Sequence, residues 1–321
     1  MTSDRDRRTH DTASSGPTGP GFEQYLTQEQ IDFFHTFGFL VLPQLLTADE
    51  MNRLTEEVER GHADAYGYLN GARPEGQGLP SYLLPMMSAE RTPFSLELLE
   101  DRRFFGVAND LVRARALPTF AESILLFTQT PLHRDCMPGM HGVTFAVYLE
   151  PLTADTGALR FLPGSHHADA SAAADAWKKK YGIWAEDWGE KAVRQQVSEL
   201  PLTVAETRRG DVIVFDWQIW HASINGVDRL QWSASYANEP TTAEEEDVFS
   251  RFFHSAGSVD PDAPYDTTAY PRYDERWVQQ ALRNPRMAPV ITRMRELHMI
   301  GSPEDPEYGT SGGPVSGAGR G

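Results

Sequence analysis

The sequence predicts a mainly β fold with flanking helices, an α+β chain built around an antiparallel sandwich or jelly roll. Short apolar segments recur from about residue 120 to residue 236, with Gly, Pro, Asp and Asn between them. Helical patterns precede this region, and many short strands spaced this way suggest an antiparallel sandwich or jelly roll. A hydrophobic share of 40% with seven Trp in 321 residues can fill a substantial core.

The elements follow in order. Residues 1–22 are polar and rich in Ser, Thr, Arg and Gly, and are expected to form a disordered tail. Residues 302–321, ending SGGPVSGAGRG, have the same character, so one domain is expected over 23–301. Thr27 is placed to cap a helix that carries Ile31, Phe33 and Phe34 ahead of Gly38. Phe39 to Pro43 reads as a short strand. Thr47 caps a second helix with Met51, Leu54 and Val58 on one face. Residues 92–117 read as helical. Strands are then expected at 123–130, 143–149, 158–162, 202–205, 212–215 and 230–236. A helical stretch at 169–200 interrupts them and carries Trp177, Tyr181, Trp184 and Trp188. It is either a lid-like insertion over a barrel mouth or a surface helix packing its aromatics on the sheet.

Charge and cysteine content narrow the function. A net charge of −17 repels phosphate backbones, so no nucleic acid is expected as partner. The single cysteine, Cys136, rules out an intramolecular disulfide and a cysteine-rich zinc site, and reads as a small apolar filler. No apolar run approaches the roughly 20 residues of a membrane-spanning helix. The N-terminus lacks the apolar middle of a signal peptide. The expectation is a cytoplasmic protein with a small-molecule substrate and no membrane partner.

The chemistry centres on His133-Arg134-Asp135. If these residues lie on a strand, His133 and Asp135 point to one face and Arg134 to the other. A third ligand must come from far along the chain. His221 follows the turn and apolar strand Gly210 to Phe215. Taken alone, His221 reads as a hydrogen-bonded histidine at a strand end. Joined to the pair, it completes the two-histidine, one-carboxylate set whose open positions suit non-haem Fe(II) oxygenases. Ser223, Asn225-Gly226 and Arg229 follow. Asn-Gly between apolar stretches signals a hairpin. A two-residue turn would pair His221 with Leu230 and turn Arg229 away. A three-residue loop, Ile224 to Gly226 with Gly226 left-handed, pairs His221 with Arg229 and puts His221, Ser223 and Arg229 on one face. We adopt the second register, which offers a guanidinium to a carboxylate near the metal. Met137, Met140 and His141 follow the ligand loop and read as core or surface packing ahead of the alternative, that they line its mouth.

These residues, with GALRFLPGSHH at 157–167, GDVIVFDWQIWHASIN at 210–225 and the opening LTQEQIDFFHTFGFLVLPQLLTADEM, resemble the phytanoyl-CoA dioxygenase (PhyH) family. The resemblance covers about residues 24–240. It implies a double-stranded β-helix core (jelly roll, cupin-like) and an enzyme using Fe(II), 2-oxoglutarate (2OG) and O2. It implies His133, Asp135 and His221 as iron ligands and Arg229 as the 2OG-binding arginine. Ser223 would be its neighbour, and Thr144 would present a hydroxyl to 2OG. Arg229 follows His221 by eight residues, a shorter interval than is common in the family. The implied reaction is oxidation, foremost hydroxylation, of an unactivated C–H bond in a small organic metabolite, with release of succinate and CO2. Related halogenases carry a small residue where Asp135 stands, so oxygenation is expected. Desaturation, epimerisation and ring formation use the same centre. The rival readings are a non-redox cupin-like metalloenzyme, which needs the triad but not Arg229, and a binding protein without turnover.

Overall fold

Two capping boxes set the N-terminal layer of the computed structural model, which describes residues 24–67, 81–136, 139–181, 197–256 and 263–300. Thr27 Oγ1 accepts from the Gln30 amide at 3.3 Å, and Gln30 Oε1 accepts from the Thr27 amide at 2.9 Å. Helix α1 (Gln28–Phe37) therefore starts where the motif predicts. Gly38, at φ 87°, closes it in the left-handed conformation and releases strand β1 (Phe39–Leu42). Thr47 and Glu50 form the second box, at the head of α2 (Ala48–Tyr66). Met51, Leu54 and Val58 are buried along α2, as their spacing requires.

The helix predicted over 92–117 is shorter and broken. α3 (Pro93–Glu100) stops at Asp101, whose extended backbone and side chain cap a single π turn (Arg102–Gly106) leading into α4 (Val107–Leu111). The next strand, β3 (Ala116–Leu126), begins well before residue 123. Its residues are buried on both faces, so its apolar run continues the helical one without a change of pattern.

Six strands form the larger sheet, in the order β1-β8-β5-β10-β3-β2. These include β2 (Ser81–Pro85), β5 (Gly142–Tyr148), β8 (Val212–Asp216) and β10 (Arg229–Asn238). Four form the smaller sheet, in the order β4-β9-β6-β7. They are β4 (Thr130–His133), β6 (Leu159–Phe161), β7 (Thr203–Ala205) and β9 (His221–Ser223). All their pairings are antiparallel. The fold is thus the predicted jelly roll. Strand β2 and the helices after β10, α6 (Ala243–Ala256), α7 (Glu275–Ala281) and α8 (Ala288–Glu296), add to the elements expected from sequence.

Alternation decides what each face of the larger sheet meets. Val143, Phe145 and Val147 of β5 and Trp232, Ala234 and Tyr236 of β10 join the helices in the main core. Trp232 Nε1 donates to Ser95 Oγ at 2.7 Å and Tyr236 Oη to the Leu99 carbonyl at 2.8 Å, so both aromatics are buried with their polar ends satisfied. On the opposite face, Phe39, Ala146, Tyr148, Ile213 and Phe215 pack on Leu159 and Phe161 of the smaller sheet.

Helix α5 (Ala168–Tyr181) is the described part of the 169–200 segment. It lies on the smaller sheet as a surface helix. Lys178 Nζ donates to the Leu132 carbonyl at 3.1 Å and stands 4.3 Å from the Trp220 ring. Arg134 donates to Ser171 Oγ at 3.0 Å. Trp184, Trp188 and both predicted tails lie outside the described residues. No helix among the described residues is long and apolar enough to cross a membrane.

One buried histidine on α2 couples the fold to pH. His62 Nε2 lies 2.8 Å from Ser123 Oγ. Burial pushes the ring's pKa down to about 4. The unfolded chain takes up this proton near pH 6.5, the folded chain only near 4. The stabilisation is therefore full above 6.5 and lost as pH falls towards 4, a span worth about 3 kcal/mol. In urea titrations from pH 7 to 4, His62→Gln is expected to flatten the decline in stability by about that amount; parallel curves for the two proteins would contradict it.

Candidate metal centre

Strands β4 and β9 run side by side, and their register sets His133 directly opposite His221. The two imidazole centroids are 4.2 Å apart. Each ring is oriented by the backbone two residues before it. His133 Nδ1 lies 2.8 Å from the Pro131 carbonyl, and His221 Nδ1 lies 3.1 Å from the Ile219 carbonyl. A carbonyl can only accept, so both Nδ1 atoms carry the hydrogen and both Nε2 atoms present a lone pair.

Asp135 reaches the same point by a different route from the one expected. β4 ends at His133, so strand alternation does not place the carboxylate. A turn does: the Asp135 amide donates to the Trp217 carbonyl at 3.1 Å. Asp135 Oδ1 then stands 3.5 Å from His133 Nε2 and 3.3 Å from His221 Nε2. One ligand atom from each of the three residues falls within 4.8 Å of the others. Burial, with His133 adding to it, pushes the His221 pKa down to about 4. Burial acts to raise Asp135, but His221 and His133 hold its carboxyl below the ordinary range. With their hydrogens on Nδ1, the two imidazoles in their neutral form and the carboxylate aim lone pairs at one another. That donor set repels itself unless a cation sits between, and it fits a divalent metal. Phe215 and Phe161 wall the His221 ring, at 4.9 and 6.0 Å between centroids.

The hairpin expected after His221 does not form. β9 belongs to the smaller sheet and β10 to the larger, so residues 224–228 cross between sheets. Asn225 (φ 67°) and Asp228 (φ 53°) are the left-handed residues, and Gly226 is not. His221 pairs with His133 and Phe161 instead of Arg229. Arg229 and Ser223 meet all the same, from facing sheets. Arg229 Nη1 donates to Ser223 Oγ at 2.7 Å and to the Gly157 carbonyl at 3.0 Å, while Nη2 donates to the Thr128 carbonyl at 2.9 Å. Ser223 Oγ donates to the same Gly157 carbonyl at 2.8 Å. Arg229 is 1% exposed, its hydrogen-bond partners are all neutral, and its Nε has none. Burial lowers its pKa, opposed by Tyr148 and Glu150. A guanidinium stays charged under such a shift, so this pocket attracts an anion.

Two glycines make room for that side chain. A Cβ on Gly157 or on Gly226 would lie 2.4 Å from Arg229 Cδ, and Gly157 also holds φ at +100°. This accounts for the glycine that opens the GALRF motif.

Thr144 is placed differently from expectation, whereas Met140 and Cys136 pack as expected. The Thr144 hydroxyl lies 2.8 Å from Ser235 Oγ and accepts from Trp217 Nε1 at 2.9 Å. It stands four residues along β5 from Tyr148, about 13 Å by strand rise. Tyr148, absent from the sequence-derived set, is the β5 residue next to Arg229. Met140 is core, and its carbonyl accepts from Gln218 Nε2 at 2.7 Å. His141 lines a cavity of about 340 Å³ with His35, Arg113, His166 and Asp216, and none of the triad lines it. Met137 lies outside the described residues. Burial raises the Cys136 thiol well above its ordinary range, in keeping with a packing role. Sequence reasoning also missed Glu122 of β3, which register sets against Ser233. The available signal was the polar alternation Arg229, Gln231, Ser233, Ser235 along β10.

A profile of the phytanoyl-CoA dioxygenase (PhyH) family matches residues 34–225. Among solved structures, HygX from Streptomyces hygroscopicus, with nickel and 2-oxoglutarate bound, aligns at a TM-score of 0.50 and 18% identity, over 68% of this chain and 94% of its own. SnoK, a non-haem alpha-ketoglutarate-dependent carbocyclase from nogalamycin biosynthesis, aligns at 0.50 and 17%, over 69% of this chain and 87% of its own. At these identities the likeness is one of fold. No curated protein matches the sequence.

The glycine cradle gives a direct check on the placement of Arg229. Gly226→Ala would set a methyl group 2.4 Å from Arg229 Cδ and 2.7 Å from Gly157 Cα. Relieving that overlap is expected to cost about 1–3 kcal/mol, read as a lower Tm in thermal unfolding followed by circular dichroism. An unchanged Tm would mean that the arginine stem runs elsewhere.

Proposed function

The chain belongs to the phytanoyl-CoA dioxygenase (PhyH) family, and on that premise we propose that it is a non-haem Fe(II)- and 2OG-dependent oxygenase that hydroxylates an unactivated C–H bond of a small organic molecule. One observation carries the reading. Three lone-pair donors converge at His133, Asp135 and His221, while Arg229, buried and hydrogen-bonded to neutral groups, waits on Ser223 two residues from His221. A cation site beside an anion site suits a metal chelated by a dicarboxylate.

His133 Nε2, His221 Nε2 and the Asp135 carboxylate would hold Fe(II). Arg229 and Ser223 would bind the far carboxylate of 2OG, with Tyr148 beside them. Bound iron with 2OG and O2 supplies the oxidising power, and succinate and CO2 leave as co-products. The protein's own part is positioning and exclusion of water. The carbonyls of Pro131 and Ile219 hold each imidazole in the ligating tautomer. Gly157 and Gly226 leave room for the Arg229 stem, whose Nη1 reaches Ser223 Oγ. Phe161 and Phe215 close the wall behind His221.

Addition of Fe(II) and then 2OG to the protein without oxygen is expected to give the weak visible charge-transfer band of a chelated keto acid, and admission of air to yield succinate. Absence of both would favour the isomerase or binding readings. Asp135→Ala is expected to abolish Fe(II) binding in equilibrium dialysis. Arg229→Ala should leave metal binding in place and raise the 2OG concentration at half-maximal band intensity about 30-fold or more, since truncating one partner of a buried charge pair costs about 2 kcal/mol or more. An Arg229→Ala protein with unaltered 2OG affinity would remove the cosubstrate from this pocket.

A further inference from the structure

The inner face of the larger sheet holds a buried carboxyl group that the reading above does not use. Glu122 lies on β3, opposite Ser233 of β10, which in turn lies opposite Ala146 of β5. Ala146 packs on the smaller sheet. Directly opposed residues share a face, so Glu122 points into the space between the sheets, on the side of the metal triad. The charge of Asp135 is felt at Glu122, which agrees with that placement.

Glu122 is 3% exposed, and its Oε2 has no hydrogen-bond partner. Burial pushes its pKa up to about 8, Asp135 adds to the rise, and Arg272 and Ser233 oppose it. A carboxyl oxygen shut away from water with nothing to accept from costs stability that an apolar residue would not. Such a group persists where a ligand completes it. What completes it has to be a donor, and the surroundings select its charge. The nearby Asp135 and the net charge of −17 favour a cation, Arg272 opposes one, and an arriving ammonium takes the place of the proton that burial holds on the carboxyl near neutral pH.

We propose that Glu122 is the recognition group for a substrate that carries an ammonium nitrogen, which docks between the sheets with its cationic end against the Glu122 carboxylate and its reacting carbon towards the triad. The proposal rests on reading that space as the substrate chamber of the oxygenase. It divides the interior by charge along one face of the larger sheet: Arg229 of β10 takes an anionic cosubstrate at one end, and Glu122, further along on the neighbouring β3, takes a cationic substrate. Glu122 is a specificity-determining residue here and plays no part in holding the metal or 2OG.

The test uses the full chain loaded with Ni(II) and 2OG, which cannot turn over, and ligand-observed NMR at pH 7. The probes are benzylamine, phenethylamine and cyclohexylmethylamine, each paired with the alcohol of the same skeleton. In the wild-type protein at least one amine is expected to bind ten-fold or more tightly than its alcohol. Glu122→Gln, which keeps shape and removes the charge, is expected to bring that ratio close to one while calorimetric Ni(II) and 2OG affinities stay within two-fold. Glu122→Asp should retain part of the preference and guards against misfolding of the first variant. Equal binding of amine and alcohol by the wild type, no binding of any amine, or a preference that survives in Glu122→Gln would overturn the proposal. Failure to load Ni(II) or 2OG is read out separately and counts against the oxygenase reading, because the amine-to-alcohol ratio can also be measured on the metal-free protein.

Discussion

The register of β4 against β9 is the constraint on which the site depends. It sets His133 opposite His221, two residues far apart in the chain, on strands of only four and three residues. A slip of one residue would send one ring to the outer face of the sheet. Several contacts hold that register. β6 pairs Phe161 with His221 on the far side, and the Asp135 amide is tied to the Trp217 carbonyl just before β9. α5 clamps the sheet from outside through Lys178, with Arg134 and Lys178 both close to the Trp220 ring.

The sandwich separates stability from chemistry. Most large apolar residues of β5, β8 and β10 turn outward to the helices, where Phe104, Phe145, Trp232 and Tyr236 form an aromatic cluster. Burial of that layer drives folding. The inner face of β10 can then carry Arg229, Gln231, Ser233 and Ser235 without weakening the main core. Polar groups on that face are mostly paired: Thr144 with Ser235 and Trp217, and Arg229 with Ser223 and Gly157. The exceptions, Arg229 Nε, Tyr148 Oη and Glu122 Oε2, all lie on the face towards the smaller sheet.

Burial also gives the interior its electrostatic character. It disfavours a charge on His221 and on Arg229, whose hydrogen bonds go to neutral groups, while the histidines of the triad oppose the desolvation of Asp135. A cation and an anion are therefore both favoured, within a few residues of each other along β9. Low effective dielectric makes such preferences strong where water is excluded.

The sequence by itself determined the local structure. Both capping boxes, the order of most strands, the jelly-roll class and the identity of His133, Asp135, His221, Ser223 and Arg229 as the residues of interest were legible, because caps, periodicity and family motifs are short-range signals. Tertiary structure decided how those residues meet. Asp135 is aimed by a turn bonded to Trp217, not by strand alternation. Ser223 and Arg229 meet across two sheets, not along a hairpin, with Asn225 and Asp228 taking the left-handed turns assigned to Gly226. Glu122 and Tyr148 became visible only through their partners on neighbouring strands. The physical reason is common to all of these: parity along one strand says which residues share a face, but which strand lies beside it is settled by burial and hydrogen bonding between segments distant in sequence.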